Sequence, residues 1–163
     1  AYADQYGFNY VALMPCNLYG PGDNFDPISS HVLPALLRKV IEAKDHGDKG
    51  IVMWGTGTPR REFLFVDDVA KAAFFTMNSA STGLLNVGAG EDVTIEELLR
   101  LVCRVVGFEG KIVKDTSKPD GTPRKLLDVS KLMNLGWKPT VTLEEGIKLL
   151  HAWFLEHRLK FAL

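Results

Sequence analysis

The chain has 163 residues and a formal net charge of −1, and 46% of its residues are hydrophobic while 24% are charged. This length suits one domain, or a domain with part of another, and the weak net charge argues against a general nucleic-acid-binding surface. No sequence run reaches the ~20 apolar residues of a membrane span, no signal peptide is visible, and the two cysteines form no metal-binding pattern, which together predict a cytoplasmic protein with reduced thiols.

The first elements alternate between helix and strand. Residues 1–6 have helical composition and end at Gly7, and a helix that begins at the first residue without a cap is expected to be the tail of a longer one. The apolar run 10–14 predicts a strand covered on both faces. Residues 17–26 are dense in Asn, Gly, Pro and Asp and predict a loop.

The next helix is predicted from the spacing of apolar residues between Val32 and Ile41, with Ser29 or Ser30 as its cap and Pro34 in its first turn. Later patterns predict, in chain order, strands at 51–54, 62–66, 84–87 and 111–114 and helices at 67–77, 94–107, 129–135 and 142–157. Asp67 or Asp68 is the expected cap of the 67–77 helix. This alternation predicts an α/β fold.

Two capping boxes are predicted. Thr94 is followed three residues later by Glu97, and Thr142 by Glu145. In this pattern each side chain bonds the other residue's backbone N–H, so both helices have a well-defined start.

Two segments are distinctive: Pro15-Cys16-Asn17-Leu18-Tyr19-Gly20-Pro21, and the cationic loop 117–125, which contains Lys118, Asp120 and Lys125. Further segments are Ser30-His31-Val32-Leu33-Pro34, Trp54-Gly55-Thr56-Gly57, Arg60-Arg61-Glu62-Phe63 and Val66-Asp67-Asp68. With these residues the whole chain resembles the C-terminal half of the GDP-L-fucose synthase family, which belongs to the extended short-chain dehydrogenase/reductase superfamily.

The resemblance implies a fold and an activity. The fold would be the last strands and helices of a Rossmann domain (1–28 and 62–90), interwoven with a small α/β substrate-binding lobe (29–61 and 91–163). The activity would be 3,5-epimerisation of GDP-4-keto-6-deoxy-D-mannose followed by NADPH-dependent 4-reduction. The family's glycine-rich dinucleotide motif and Tyr-x-x-x-Lys couple are absent from these residues, so the main NADP(H)-binding machinery is expected upstream of Ala1, and this piece alone is expected to be inactive.

Residue roles also follow from the resemblance. His31 matches the family's general acid for epimerisation; the alternative is a histidine that caps or packs at a helix start. The segment 15–18, made of Pro15, Cys16, Asn17 and Leu18, matches the wall around the nicotinamide, with His31 also close to the cofactor. Asn17 could instead shape a turn. The family's second acid/base residue is a cysteine upstream, so Cys16 is not expected to have that role.

Substrate contacts are implied at Asn17, Lys39, Trp54, Arg61, Asp120 and Lys125. Arg61 suits the pyrophosphate because a guanidinium can donate two parallel N–H bonds. Alternatives stay open: Trp54 as a core residue, Lys39 as a solvated lysine, Arg60 in place of Arg61, and Arg124 in place of Lys125. No metal site is predicted.

Two other functions remain open from the sequence. One is a different nucleotide-sugar epimerase or dehydratase of the same superfamily, and the other is a non-catalytic module that binds a nucleotide sugar. The predicted partners are a small-molecule GDP-sugar and a second copy in a homo-oligomer, most simply a dimer, with no nucleic acid or membrane. Without the rest of the nucleotide-binding lobe, the segments 10–14, 69–77 and 84–87 are expected to expose apolar side chains.

Overall fold

The computed structural model describes residues 2–79 and 82–161. The helices are α1 (Tyr2–Tyr6), α2 (Val32–Asp45), α3 (Val66–Met77), α4 (Ile95–Val106), α5 (Ser130–Asn134) and α6 (Leu143–His157). The strands are β1 (Val11–Pro15), β2 (Asn17–Tyr19), β3 (Gly50–Trp54), β4 (Arg60–Arg61), β5 (Phe63–Phe65), β6 (Gly83–Val87), β7 (Val93–Thr94), β8 (Lys111–Asp115) and β9 (Arg124–Lys125). The predicted first helix is present from Tyr2, while Ala1 lies outside the described residues.

Most strand pairs are parallel, which confirms the α/β class. Strand β1 pairs with β6, β2 with β5, and β3 with β8, all in parallel register. Strand β4 lies between β7, which is antiparallel to it, and β9, which is parallel. Because parallel strands end at the same edge, β3 and β8 bring Trp54 level with Asp115, just before the cationic loop.

The predicted loop at 17–26 is wrong at its start. Asn17–Tyr19 forms strand β2, which pairs with Phe63–Phe65. Three residues give too short a run for an apolar pattern to stand out beside a loop rich in Gly and Pro, and the strand exists because a tertiary partner offers a hydrogen-bonding edge.

Both capping boxes are confirmed: Thr94 accepts from the Glu97 N–H at 3.0 Å, and Thr142 accepts from the Glu145 N–H at 3.3 Å. The other predicted caps are wrong. His31 occupies the N-cap of α2 and Phe65 that of α3, and neither side chain makes a capping bond. Asp68 instead accepts from the Thr140 and Val141 N–H groups, each at 2.9 Å, across the chain.

The larger apolar cluster, here called the α2/α4/α6 core, lies where these three helices meet β2, β3 and β5. Its fully buried members include Leu37, Leu98, Leu99, Ile147, Leu150 and Phe154. Helix α2 contributes Leu33, Leu37, Val40 and Ile41 to this core. The opposite face of the helix lines the cavity described below.

The smaller cluster, here called the β1/β6/α3 layer, is built on Leu64, Ala72, Leu85, Val87, Leu132 and Trp137. Its outer side carries the exposed apolar side chains Met14, Phe74, Met77 and Leu84. The sequence predicted a first strand covered on both faces, and the structure corrects this, since Ala12 and Met14 of β1 are exposed. The expectation that these elements expose apolar groups is confirmed.

Candidate functional site

A cavity of about 410 Å³, here called the α2–β3 cavity, lies between helix α2 and strand β3. Residues three and four apart on a helix share a face, so α2 presents one continuous wall to it. That wall is Ala35, Arg38, Lys39 and Glu42, and the strand contributes Val52, Met53 and Trp54.

Two of the predicted substrate residues line this cavity. Lys39 donates from Nζ to the Val52 carbonyl at 2.5 Å, and burial lowers the pKa of its ammonium group. Trp54 is 68% exposed, so the alternative that it is a core residue is wrong. Its ring instead offers a flat apolar face, with the Lys118 ammonium 5.8 Å from the ring centroid.

A second recess of about 180 Å³, here called the Arg61 cleft, is continuous with the first because Val32, Trp54 and Ile95 line both. The cleft brings together two further predicted residues, Arg61 and Asp120. Four of the six residues predicted to contact substrate therefore line one extended recess.

Arg61 and Arg60 have different partners. The Arg60 Nε lies 2.8 Å from Oδ1 of Asp92, and its Nη2 donates to the Asp92 carbonyl at 2.8 Å. Arg61 donates from Nη1 to the carbonyl oxygens of Arg60 and Thr122, at 2.7 and 2.6 Å. Among the described residues no carboxylate pairs with Arg61, so its charge is available to an anion in the cleft.

The Asp120 carboxylate fixes the cationic loop against the end of β3. Its Oδ1 accepts from the Thr56 N–H at 2.9 Å and its Oδ2 from the Thr56 hydroxyl at 2.7 Å. These bonds lower the pKa of Asp120. Gly55 has a φ of 75°, and a Cβ there would collide with the Asp120 carboxylate, so glycine permits the close approach.

Lys125 and Asn17 lie outside the lining of the recess. Lys125 is an exposed residue of β9, next to β4. Its neighbour Arg124 is paired with Asp92 through Nε at 2.5 Å, as Arg60 is. Asn17 donates from Nδ2 to the Glu62 carbonyl at 2.7 Å, a bond that ties β2 to the segment between β4 and β5.

His31 is the residue before Val32, which lines both parts of the recess, and it is exposed. His31 occupies the N-cap position of α2, but its side chain makes no capping bond, so the capping part of that alternative is wrong. Nearby Asp23 has a buried Oδ2 with no hydrogen-bond partner among the described residues. Burial raises the pKa of Asp23, against the opposing effects of the Asn24 N–H and the His31 charge.

The segment 15–18 begins at the carboxyl end of β1, beside the carboxyl end of the parallel strand β6. In open α/β sheets, ligands bind outside this edge. The Cys16 N–H donates a hydrogen bond to the Val87 carbonyl at 2.9 Å. Burial, and then the Glu62 charge, raises the pKa of the Cys16 thiol to about 12, so Cys16 is unsuited to acid/base work near neutral pH.

Glu62 is a residue that the sequence patterns did not predict; it is fully buried and bonds two distant segments of the chain. Its carboxylate accepts from the Gly90 N–H at 2.7 Å and the Leu127 N–H at 3.0 Å. A charged residue between Arg61 and a run of phenylalanine and leucine was the available signal, because a carboxylate is rarely buried without donors.

Residues 2–79 and 82–161 contain neither a candidate membrane-spanning helix nor a candidate metal-binding cluster. No helix there has the length and apolar character needed to cross a bilayer. No group of three or more His, Cys, Asp or Glu side chains there could hold a metal ion.

The sequence-family model described as "NAD dependent epimerase/dehydratase family" matches residues 1–88. The chain belongs to that family. The match includes β1 with the segment 15–18, His31 and the whole of α2, and both arginines of β4. It ends just after β6, whose carboxyl end lies beside the segment 15–18.

The names of individual relatives are more specific than the description of the family. The chain is 56% identical, over 96% of its length, to "Probable GDP-L-fucose synthase 1" of Oryza sativa subsp. japonica, and 49% identical, over 99%, to "GDP-L-fucose synthase" of Escherichia coli (strain K12). It spans 48% and 53% of those two proteins. A crystal structure titled as a GDP-L-fucose synthetase from Naegleria fowleri bound to NADP superposes with a TM-score of 0.84 at 33% identity, covering 91% of this chain and 47% of that one.

Proposed function

We propose that this chain is the sugar-nucleotide-binding part of a GDP-L-fucose synthase, which converts GDP-4-keto-6-deoxy-D-mannose to GDP-L-fucose. The observation that carries the proposal is the recess in which Lys39, Trp54, Arg61 and Asp120 meet. A nucleoside diphosphate needs an apolar face for its base and a cation for its pyrophosphate, and Trp54 and Arg61 offer these within one cavity system. The names of the relatives support a GDP-sugar as the substrate.

His31 is proposed as the proton donor of the epimerisation steps. Inversion of a carbon beside a ketone requires a base on one face of the sugar and an acid on the other, and an imidazole titrates in the range suited to this work. An exposed histidine at the start of α2, next to a residue that lines the recess, is accessible to a bound sugar. The raised pKa of Cys16 supports the expectation that the second acid/base group is a different residue.

NADP(H) is the proposed cofactor, and the residues present fit one end of it. The segment 15–18 lies at the strand edge where α/β folds bind nucleotides, and Pro15 has no N–H that would need a partner there. When bound, the dinucleotide supplies the hydride for reduction at C4. Pro15 to Leu18 would line its nicotinamide end, while Asn17, already bonded to the Glu62 carbonyl, would hold this segment in place.

Arg61 provides the sharpest test of the proposal. Arg61→Ala removes a cation that lines the cleft, so GDP affinity measured by isothermal titration calorimetry should fall about 10- to 100-fold. Arg100→Ala is the matched control, since Arg100 is an exposed helical arginine that pairs with Glu96. Unchanged GDP affinity in Arg61→Ala would contradict the assignment.

His31→Ala should slow epimerisation by about 10²- to 10⁴-fold in the natural gene product. The measurement is solvent deuterium incorporation at C3 and C5 of the sugar. Its GDP affinity should stay near that of the unmodified protein. Deuterium incorporation at the normal rate would remove His31 from the mechanism.

The resemblance also supports three further features of the proposed enzyme. The first is the division of the chain into Rossmann segments (1–28 and 62–90) and a substrate lobe (29–61 and 91–163). A homodimer and a cytoplasmic location are the others, and the two free cysteines are consistent with a reducing compartment. For the 163-residue chain by itself, calorimetry should show weak GDP binding and essentially none of NADPH.

A further inference from the structure

One ion pair in the wall of the α2–β3 cavity differs from the ordinary helical pairs of this chain. Arg38 Nε donates to Glu42 Oε1 at 2.7 Å, with 14% of the arginine side chain exposed. In the Glu144–Lys148 pair of α6, 58% of the lysine side chain is exposed. Arg38 therefore lies largely within the protein, where a surface pair would leave it in water.

Arg38 is also held from its other side. Its Nη1 donates to the Phe25 carbonyl at 3.0 Å, and Phe25 is fully buried. A guanidinium fixed at both ends has little freedom, so it holds the Glu42 carboxylate in one position at the cavity wall. Such a fixed group binds a ligand without the entropic cost of ordering it.

The Glu42 carboxylate has acceptor capacity to spare. A carboxylate has about four lone-pair sites and no donor, and within the described residues Arg38 alone is paired with this side chain. Its complement is a ligand edge with two adjacent N–H donors. The walls around it, including Leu36, Val52 and Trp54, are apolar and suit a flat ring.

We infer that Glu42, positioned by Arg38, selects guanine over other bases in the α2–β3 cavity. This rests on the proposed function, in which Arg61 binds the diphosphate in the adjoining cleft. Guanine presents N1–H and the exocyclic N2 amino group side by side, which matches the two oxygens of a carboxylate. Uracil presents a single N–H between two carbonyl oxygens, so one carboxylate oxygen would face a carbonyl oxygen and repel it. Hypoxanthine lacks the N2 amino group and loses one of the two bonds.

The test is calorimetric titration of the natural gene product with GDP, inosine diphosphate and UDP. The unmodified protein should bind GDP about 10- to 100-fold more tightly than either of the others, since each loses at least one bond to a charged acceptor. Glu42→Gln keeps the shape of the side chain but replaces one acceptor by a donor. In that variant the preference for GDP over inosine diphosphate and over UDP should shrink to a few-fold.

Glu144→Gln is the matched control, because it alters a helical ion pair remote from the cavity and should keep the full preference. The comparison of the three nucleotides on the unmodified protein needs no variant. The inference can therefore be contradicted even if Glu42→Gln does not fold. Equal binding of GDP, inosine diphosphate and UDP, or a preference that survives in Glu42→Gln, would overturn this inference while leaving the proposed function intact. Absence of any GDP binding would overturn both.

Discussion

The α2/α4/α6 core and the β1/β6/α3 layer differ in how completely they bury their apolar side chains. The core encloses large residues such as Leu37, Leu99 and Phe154 with no exposed surface. The layer has a small buried cluster, and its outer side exposes Phe74 and Met77 by 71% and 83%. Both consist of helices packed on parallel strands, so the class of architecture does not account for the difference.

This difference separates two tasks within one chain. The core gives α2 and β3 a rigid backing, and the recess opens on their opposite side, so the cavity residues are fixed by packing behind them. The layer has parallel strands that ordinarily have both faces covered, and in the described residues one face is open. The layer is therefore the surface at which further protein is expected to pack.

The largest expected effect distinguishes the two regions directly. Phe154→Ala should lower the free energy of unfolding by about 3–5 kcal/mol, because it leaves a cavity beside Phe25, whose ring centroid is 4.5 Å away. Met77→Ala should change it by less than about 0.5 kcal/mol. Urea-induced unfolding measures both. Similar losses in the two variants would show that the layer is buried in the natural protein.

Asp68 makes hydrogen bonds between the two regions. This fully buried carboxylate of α3 accepts from the backbone of Thr140 and Val141, just before α6. Asp68→Ala leaves these N–H groups without a partner and should cost about 3 kcal/mol of unfolding free energy. Asp67→Ala, on the exposed side of the same helix, is the control and should have little effect.

The same carboxylate predicts a pH dependence. Burial alone would raise the pKa of Asp68, but bonds from Thr140, Val141 and Lys71 outweigh it, and the pKa lies below its ordinary value. Its contribution to stability is therefore fully present above the unfolded-state pKa of about 3.9 and is lost as the pH falls through the folded-state value. Asp68→Asn should flatten the loss of stability below pH ~4. An unchanged acid slope would count against the assignment.

A smaller effect is expected at the capping boxes of the core. Thr94→Ala removes the bond to the Glu97 N–H and should cost about 1 kcal/mol. Thr94→Ser keeps the hydroxyl and should restore most of that stability. Thermal unfolding compares the pair, and equal destabilisation by serine and alanine would mean that the threonine methyl group, and not the cap, is what matters.

The smallest effect on stability is expected on the exposed side of the layer, where association is the informative measurement. Exposed apolar patches promote self-association, so the 163-residue chain should form oligomers in light scattering. Met77→Lys with Phe74→Glu should shift it toward monomer while changing unfolding free energy by less than about 0.5 kcal/mol. A monodisperse monomer without substitutions would contradict this expectation.

Features that depend on neighbouring residues could be predicted from the sequence. The helices at 32–45 and 95–106, both capping boxes and the α/β alternation were predictable because helical spacing and cap chemistry act over a few positions. The resemblance carried by segments such as Trp54-Gly55-Thr56-Gly57 also named four residues that share the recess.

Which of two equivalent neighbouring residues is available to a ligand depends on the fold. Arg60 and Arg61 are indistinguishable by composition, yet one is paired with Asp92 and the other faces the cleft. Strand β2, the partners of Asp68 and the fixed Arg38–Glu42 pair likewise depend on groups far away in the chain. Hydrogen bonds and ion pairs are specified by the position of the partner in space, and local sequence patterns contain no record of that position.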